Sequence, residues 1–145
     1  MTAHYTSKHG QVSKSPEELY MAFCDMSNFS RLMPEQQKAE IKADYDNLRI
    51  TVQGFSIAVK IDERQPYRLI RIISVESPVE FVGALHFEPS VLPGKTDFSI
   101  VLDANLNFMM KTMLGGKIQQ ALDKAVDSLV DISEGRMPQM PEGML

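Results

Sequence analysis

Histidine and cysteine are the residues of this sequence with the chemistry to hold a metal. The chain has His4, His9, His86 and a single cysteine, Cys24. These four form no C-x-x-C, H-E-x-x-H or comparable spacing, which the common zinc sites use. The sequence therefore predicts no bound metal.

The pair Gly115-Gly116 is a second pattern to test, because glycine-rich loops bind phosphate. No G-x-x-x-x-G-K-[ST] motif surrounds the pair, so no nucleotide or other cofactor is predicted. Inside a helix each glycine costs about 0.8–1 kcal/mol relative to alanine. We expect a kink or a close approach of the helix to a sheet; a hinge that opens a cavity is the functional alternative.

Three side chains are candidates for a general acid or base, namely Tyr45, Glu76 and His86. An enzyme would need such a group within about 2.6–3.2 Å of the proton that it transfers. Alternation in its strand favours a solvent-facing His86, between Leu85 and Phe87. No spacing links the three candidates, so no catalytic residue is assigned.

Two strand patterns point to a pocket. Gly83 lies between two inward-facing apolar neighbours, where a core would normally be filled. A bulge or close packing of a helix is the alternative explanation. Ile72 shares a face with Ser74 and Glu76, so polar groups would stand at a cavity mouth and orient a ligand headgroup. A solvated strand end explains the same pattern.

The element that must position these residues is a long helix over residues 107–133. Its apolar residues recur with a period near 3.6, while Gln119 and Asp123 fall on the predicted wet side. Asn107 is the predicted N-cap and Gly135 the C-terminal stop. The apolar stripe consists of Leu114, Ile118, Ala121, Leu122, Ala125, Val126, Leu129 and Val130.

The chain before this helix reads mostly as strand. A weak strand at 4–13 precedes a helix that begins at Ser15-Pro16, and a second short helix, capped by Ser27 or Asn28, ends at Pro34. Short connections between the later strands predict an antiparallel meander. Its six strands are predicted at 38–45, 48–53, 55–64, 67–76, 79–88 and 96–106.

Composition sets the class of protein. The 145 residues fit one domain, predicted as 1–135 with a flexible Met/Pro-rich tail at 136–145. The net charge of −4 disfavours nucleic acid, and no apolar run reaches the ~18 residues that span a bilayer. One cysteine and no signal-like N-terminus predict a reducing cytoplasm. The oligomeric state stays open.

The element order resembles that of the START-like, or helix-grip, superfamily (SRPBCC proteins). The resemblance lies in Ser15 to Tyr20 with Asp25, Asn28 and Phe29, in Ile61 to Pro66 with Leu69 and Ile70, and in Leu106-Asn107. More narrowly, the chain resembles small SRPBCC proteins common in Bacteroidetes. The resemblance implies an α+β fold in which a curved, seven-stranded antiparallel sheet grips the long helix around an apolar cavity. It transfers no catalytic residue.

These observations together predict binding of a small apolar ligand, such as a lipid or polyketide-like molecule, between sheet and helix. A cyclase or dehydratase enzyme in the same cavity is one alternative, and a protein-interaction module with a filled core is another. The predicted ligand-binding residues are Phe29, Met33, Phe55, Ile57, Ile72, Ser74, Glu76, Phe81, Gly83, Leu85, Phe98, Ile100, Leu102, Met110, Met113 and Leu114.

Overall fold

The computed structural model describes residues 2–31, 39–52 and 55–135. The strands are β1 (Thr2–Thr6), β2 (Gly10–Val12), β3 (Ala39–Ala43), β4 (Asn47–Val52), β5 (Phe55–Gln65), β6 (Leu69–Glu76), β7 (Phe81–Pro89) and β8 (Thr96–Asn105). The helices are α1 (Pro16–Phe23), a 3₁₀ helix (Met26–Arg31) and α2 (Phe108–Ser133). No helix in these ranges is long and apolar enough to cross a membrane.

The strands form one antiparallel sheet in the order β1-β8-β7-β6-β5-β4-β3, and β2 pairs with the same strand, β8, as β1 does. The meander from β3 to β8 confirms the antiparallel prediction, which rested on the short connections. The weak strand expected at 4–13 is two strands, so the described sheet has eight strands. The predicted tail at 136–145 lies outside the described residues.

Side-chain caps begin both α-helices where the sequence predicts them. Ser15 Oγ accepts from the backbone N–H of Glu18 at 3.2 Å. Asn107 Oδ1 accepts from the N–H of Met110 at 2.8 Å. Gly135, just past the end of α2, has the positive φ of 80° that glycine adopts freely. Local chemistry alone therefore determines these boundaries.

The 3₁₀ helix begins earlier than expected. Its cap is Asp25, whose Oδ1 accepts from the N–H of Ser27 at 2.9 Å and from the Ser27 hydroxyl at 2.6 Å. The predicted caps, Ser27 or Asn28, are therefore wrong by two or three positions. The predicted end of this helix at Pro34 lies outside the described residues.

The main core lies at one end of the sheet, under α1 and the second half of α2. Tyr20 meets Phe87 edge-on at 6.1 Å between ring centroids, and Phe23 stacks on Phe98 at 6.1 Å. Its buried members are Val12, Leu19, Tyr20, Cys24, Met26, Leu48, Ile61, Ile70, Phe87, Phe98 and Val126. Burial raises the pKa of the Tyr20 hydroxyl, because the ionised form loses its hydration.

The face of α2 that meets the sheet is rotated from the predicted face. Leu114, the start of the predicted stripe, is 38% exposed. Gln119 and Asp123, predicted to be solvated, are half-buried. Gln119 Nε2 donates to the carbonyl of Thr6 at 2.8 Å, and Asp123 Oδ1 accepts from the N–H of Lys8 at 2.7 Å. These bonds, one to Thr6 at the end of β1 and one to Lys8 in the β1–β2 connection, turn two polar residues towards the sheet.

A register shift near the end of β6 changes the face that Glu76 presents. Ser74 pairs with Val59, yet Glu76 pairs with the adjacent Ala58, so one extra residue of β6 lies between them. Glu76 Oε2 lies 2.6 Å from Nη1 of Arg49 on the outer face, the face away from the helices. The expectation that Glu76 shares the inner face is therefore wrong, because simple alternation fails across a bulge.

Candidate ligand-binding site

Two separate apolar clusters pack on the inner face of the sheet. The main core occupies one end, and a small cluster around Ala3, Ala104 and Leu106 occupies the other. Gly83 and Leu102, which pair with each other, belong to neither cluster. We call the region of the inner face around Ile72, Gly83, Leu85, Ile100 and Leu102 the central gap. Its residues Ile72, Leu85 and Ile100 also pack against the edge of the main core.

The inward-facing side chains of the central gap are only half-buried. This holds for Ile72, Leu85, Ile100 and Leu102, although β6, β7 and β8 each have a paired strand on both sides. The reason is the position of α2, whose main contacts are with β1, β2 and β8 at one edge. The helix therefore leaves the inner face of β6 and β7 partly uncovered, and apolar surface lines the uncovered part.

At Gly83 an added Cβ would contact strand atoms and no atom of α2 within 4 Å. A Cβ at this position would have as its nearest neighbours Val101 O at 3.9 Å, Ile72 O at 4.0 Å and Leu102 Cδ1 at 4.0 Å. All three atoms belong to adjacent strands, and the pairing of β7 with β6 and β8 continues through Gly83 without a register shift. Neither a bulge nor close packing of α2 therefore explains this glycine.

Tyr5 borders the central gap on the side of β1. It pairs with Leu102, which places it in one row with Gly83 and Ile72. A Cβ on Gly115 of α2 would lie 3.2 Å from the Tyr5 hydroxyl oxygen. The close approach of helix to sheet predicted for the glycine pair is confirmed at Gly115. Tyr5 is not among the residues predicted from the sequence, although its alternation with Ala3 in β1 was available as a signal.

The structure brings five of the predicted ligand-binding residues together around the gap. They are Ile72, Gly83, Leu85, Ile100 and Leu102. Phe98 lies deeper, in the main core, whereas Phe81 and Met110 pack against the small cluster. Ser74 Oγ accepts the backbone N–H of Phe81 at 3.0 Å, so its hydroxyl joins two strands.

Other predicted ligand-binding residues lie away from this group. Met113 is 67% exposed at the start of α2, and Ile57 is 37% exposed on β5. Leu114 lies on the partly exposed face of α2 described above. Met33 and the side chains of Phe29 and Phe55 lie outside the described part of the chain.

The acid–base candidates do not share one site. The guanidinium carbon of Arg64 lies 4.0 Å from the ring centroid of Tyr45, in the β3–β4 turn. Glu76 forms its ion pair on the outer face, and His86 alternates with the buried Phe87 in β7. Each group therefore has a separate setting, and none of them faces another across the central gap.

The remaining histidines pair with carboxylates on β8. His4 Nδ1 lies 2.6 Å from Asp103 Oδ1, and His9 Nδ1 lies 2.7 Å from Asp97 Oδ1. Both histidine side chains are well exposed, and the two carboxylates are partly exposed. Within residues 2–31, 39–52 and 55–135, no three His, Cys, Asp or Glu side chains are placed to hold a metal ion.

The outer face of the sheet carries open depressions. One of about 660 Å³ is lined by residues that include Val75, Glu76, Val82 and Asp103. Another, of about 380 Å³, is lined by residues that include Lys42, Asp44 and Arg49. Charged side chains line both depressions, in contrast to the apolar central gap.

Several solved structures are similar to this chain over almost its whole length. Norcoclaurine synthase from Thalictrum flavum has a TM-score of 0.69 and 14% identity, covering 91% of this chain and 86% of that chain. The same enzyme in complex with dopamine and hydroxybenzaldehyde has a TM-score of 0.65 and 14% identity, covering 96% and 90%. Protein XoxI from Bacillus cereus has a TM-score of 0.68 and 9% identity, covering 91% and 96%.

No family model and no curated protein matches the sequence of the chain. The structural similarity rests on shared architecture, a curved antiparallel sheet with a short early helix and a long C-terminal helix. The resemblance in element order predicted this architecture. The chain has the helix-grip fold.

Proposed function

We propose that the protein binds a small, largely apolar molecule in the central gap. The observation that carries this proposal is the space above Gly83, where a missing side chain is replaced by no atom of α2 within 4.0 Å. Half-buried apolar side chains surround that space. A ligand that covers them gains roughly 25 cal/mol for each Å² of apolar surface removed from water. Binding the ligand and shielding it from water requires no catalytic group.

The fold supports the same proposal. Norcoclaurine synthase, which has a similar architecture, has been solved with the small aromatic molecules dopamine and hydroxybenzaldehyde. A lipid or polyketide-like molecule is the ligand class that we propose here. Two narrower expectations, kinship with small SRPBCC proteins of Bacteroidetes and a cytoplasmic location, stay predictions.

Catalysis in the same gap is the second hypothesis, and it has less support. A cyclase or dehydratase needs an acid or base beside the reacting proton. Glu76 points to the outer face, and Tyr45 and His86 lie elsewhere in the fold. A protein-interaction module would use the exposed start of α2, where Phe108 is 79% and Met109 70% exposed. That hypothesis requires a filled interior, and the space at Gly83 speaks against it.

The substitution Gly83→Leu tests the proposal. The new side chain should fill the gap, keep the native circular dichroism spectrum and reduce binding of 2-methylnaphthalene at least tenfold in a fluorescence titration. Gly116→Leu is the matched control, because it adds the same side chain where nothing lies within 4 Å and the residue is exposed. Equal affinity of Gly83→Leu and the wild type, or no binding by the wild type, would refute the proposed function.

A further inference from the structure

The hydroxyl of Tyr5 is a polar group that the fold buries without a partner. Among the described side chains, the Tyr5 oxygen is the one buried polar atom that makes no hydrogen bond. Buried polar groups are nearly always hydrogen-bonded, so an exception needs an explanation. Phenylalanine would pack the same ring without this cost. The hydroxyl therefore points to a partner that is absent from the polypeptide itself.

The position of Tyr5 indicates what that partner is. Its ring stands in one row with Leu102, Gly83 and Ile72, all on the inner face of the sheet. A molecule seated above Gly83 would therefore lie two strands away from Tyr5 and adjacent to Leu102. The other side chains of this row are apolar, so the Tyr5 hydroxyl is the polar group that the row offers to such a molecule.

We propose that the Tyr5 hydroxyl is the polar anchor of the ligand, a proposal that rests on the function proposed above. The ligand is then a neutral, largely apolar molecule that carries one hydroxyl or carbonyl oxygen. A neutral phenol can donate to such an oxygen or accept from it. A charged ligand group would be desolvated in this apolar row without a counter-charge, which is strongly unfavourable.

Access to the anchor requires a movement of α2. The Tyr5 oxygen is covered by the helix at Gly115, close enough that a Cβ there would lie 3.2 Å away. Around that turn Met109 and Met113 are 70% and 67% exposed, and the apolar contacts that an outward displacement would break are those of Met110 and Ile118 with the small cluster. Among the described residues, the hydrogen bonds from α2 to Thr6 and Lys8 begin at Gln119. The turn at Gly115 is therefore the part of α2 that yields to the ligand.

A pair of nearly isosteric probes separates the anchor from the gap. 2-Naphthol and 2-methylnaphthalene have almost the same shape, but only the first can hydrogen-bond. Wild type and Tyr5→Phe are titrated with both probes by fluorescence. Tyr5→Phe should weaken 2-naphthol about five- to tenfold, the usual contribution of one neutral hydrogen bond, and leave 2-methylnaphthalene unchanged. Tyr20→Phe, in the main core, is the matched control and should alter neither affinity.

Each of the other possible outcomes contradicts either the Tyr5 anchor or the ligand-binding gap. Binding of both probes with no effect of Tyr5→Phe rejects the anchor and keeps the ligand-binding gap. An equal loss of both probes gives Tyr5 a packing role and also rejects the anchor. Failure of the wild type to bind either probe rejects the gap, and the anchor with it. Thermal melting of the ligand-free proteins adds a check, because Tyr5→Phe should melt at the same or a higher temperature; a lower one would reveal an internal partner.

Discussion

Gly10 and Gly83 both lie on the inner face of the same sheet, and their surroundings differ completely. A Cβ on Gly10 would lie 2.5 Å from Val126 Cγ1 and 2.9 Å from Val130 Cγ2 of α2. A Cβ on Gly83 would meet only strand atoms, at 3.9 Å and beyond. The first glycine admits the helix to the sheet, whereas no atom of α2 comes within 4 Å of a Cβ at the second.

The difference shows that α2 holds the sheet by its second half. Val126 is fully buried there, and Lys8 Nζ lies 2.7 Å from Asp127 Oδ1. The Asp127 carboxylate raises the pKa of Lys8 through this hydrogen bond and its charge. The first half of α2 packs Met110 and Ile118 against the small cluster but leaves Phe108, Met109 and Met113 exposed. The second half of α2 is thus firmly packed on the sheet, whereas its first half is more exposed to solvent.

The same substitution at the two glycines should give the largest contrast. Gly10→Leu inserts a side chain where α2 already touches the backbone, and we expect a loss of about 3 kcal/mol or more in unfolding free energy. Gly83→Leu should change stability by about 1 kcal/mol or less. Urea unfolding of both variants measures the difference. Similar losses would mean that the two spaces are equally filled.

A smaller effect separates the two halves of α2. Val126→Ala removes two methyl groups from a fully buried site, which should cost about 2 kcal/mol including the cavity. Leu114→Ala removes more atoms, but from a side chain that is 38% exposed. We expect it to cost about 0.5–1 kcal/mol, measured by the same unfolding experiment. A larger loss for Leu114→Ala than for Val126→Ala would mean that the first half of α2 contributes more to its packing on the sheet.

The glycine pair gives a finer comparison within one turn. Gly116→Ala should stabilise the protein by up to about 0.8–1 kcal/mol, because alanine is the better helix former. Gly115→Ala makes the same gain in propensity but brings its Cβ to 3.2 Å from the Tyr5 hydroxyl. It should therefore stabilise less than Gly116→Ala or destabilise. Thermal melts of both variants, repeated with Tyr5→Phe added, would show whether removing the oxygen restores the lost stabilisation.

The smallest effect at neutral pH concerns Tyr20 in the closed main core. Burial raises the pKa of its hydroxyl in the folded state. The unfolded chain therefore ionises first, near pH 10. Stability from the neutral hydroxyl is present below that pH and is lost as pH rises through the folded pKa. Tyr20→Phe should show a weaker alkaline decline than the wild type in unfolding free energy between about pH 9 and 11. Parallel declines would refute this assignment.

Much of the fold was predictable because its signals are local. Ser15 and Asn107 cap their helices as side-chain chemistry requires, and short connections specify antiparallel strands. The errors arose where tertiary contacts decide. The bulge that turns Glu76 outward depends on pairing with β5, and the half-buried position of Gln119 depends on bonds to β1.

The candidate site was predicted in part, where its signal is visible in the sequence itself. Gly83 stood out because a missing side chain between apolar neighbours is visible in the sequence. Tyr5 did not, because its significance lies in the absence of a partner for its hydroxyl. The spacing of residues reveals where a side chain lies along a strand, but it does not reveal which hydrogen bonds remain unmade.

The guanidinium of Arg64 has a consequence for the order in which the molecule opens. It donates to the carbonyls of Cys24 at 2.9 Å and Tyr45 at 2.8 Å, and to Asp46 Oδ1 at 2.7 Å. One side chain thus ties the end of α1 and the β3–β4 turn to β5. Local opening of any one of these segments breaks bonds to the others, so they should exchange their amide hydrogens as one slow unit. Within the described part of the chain no side chain ties the first turns of α2 in this way, so those turns should exchange long before the others.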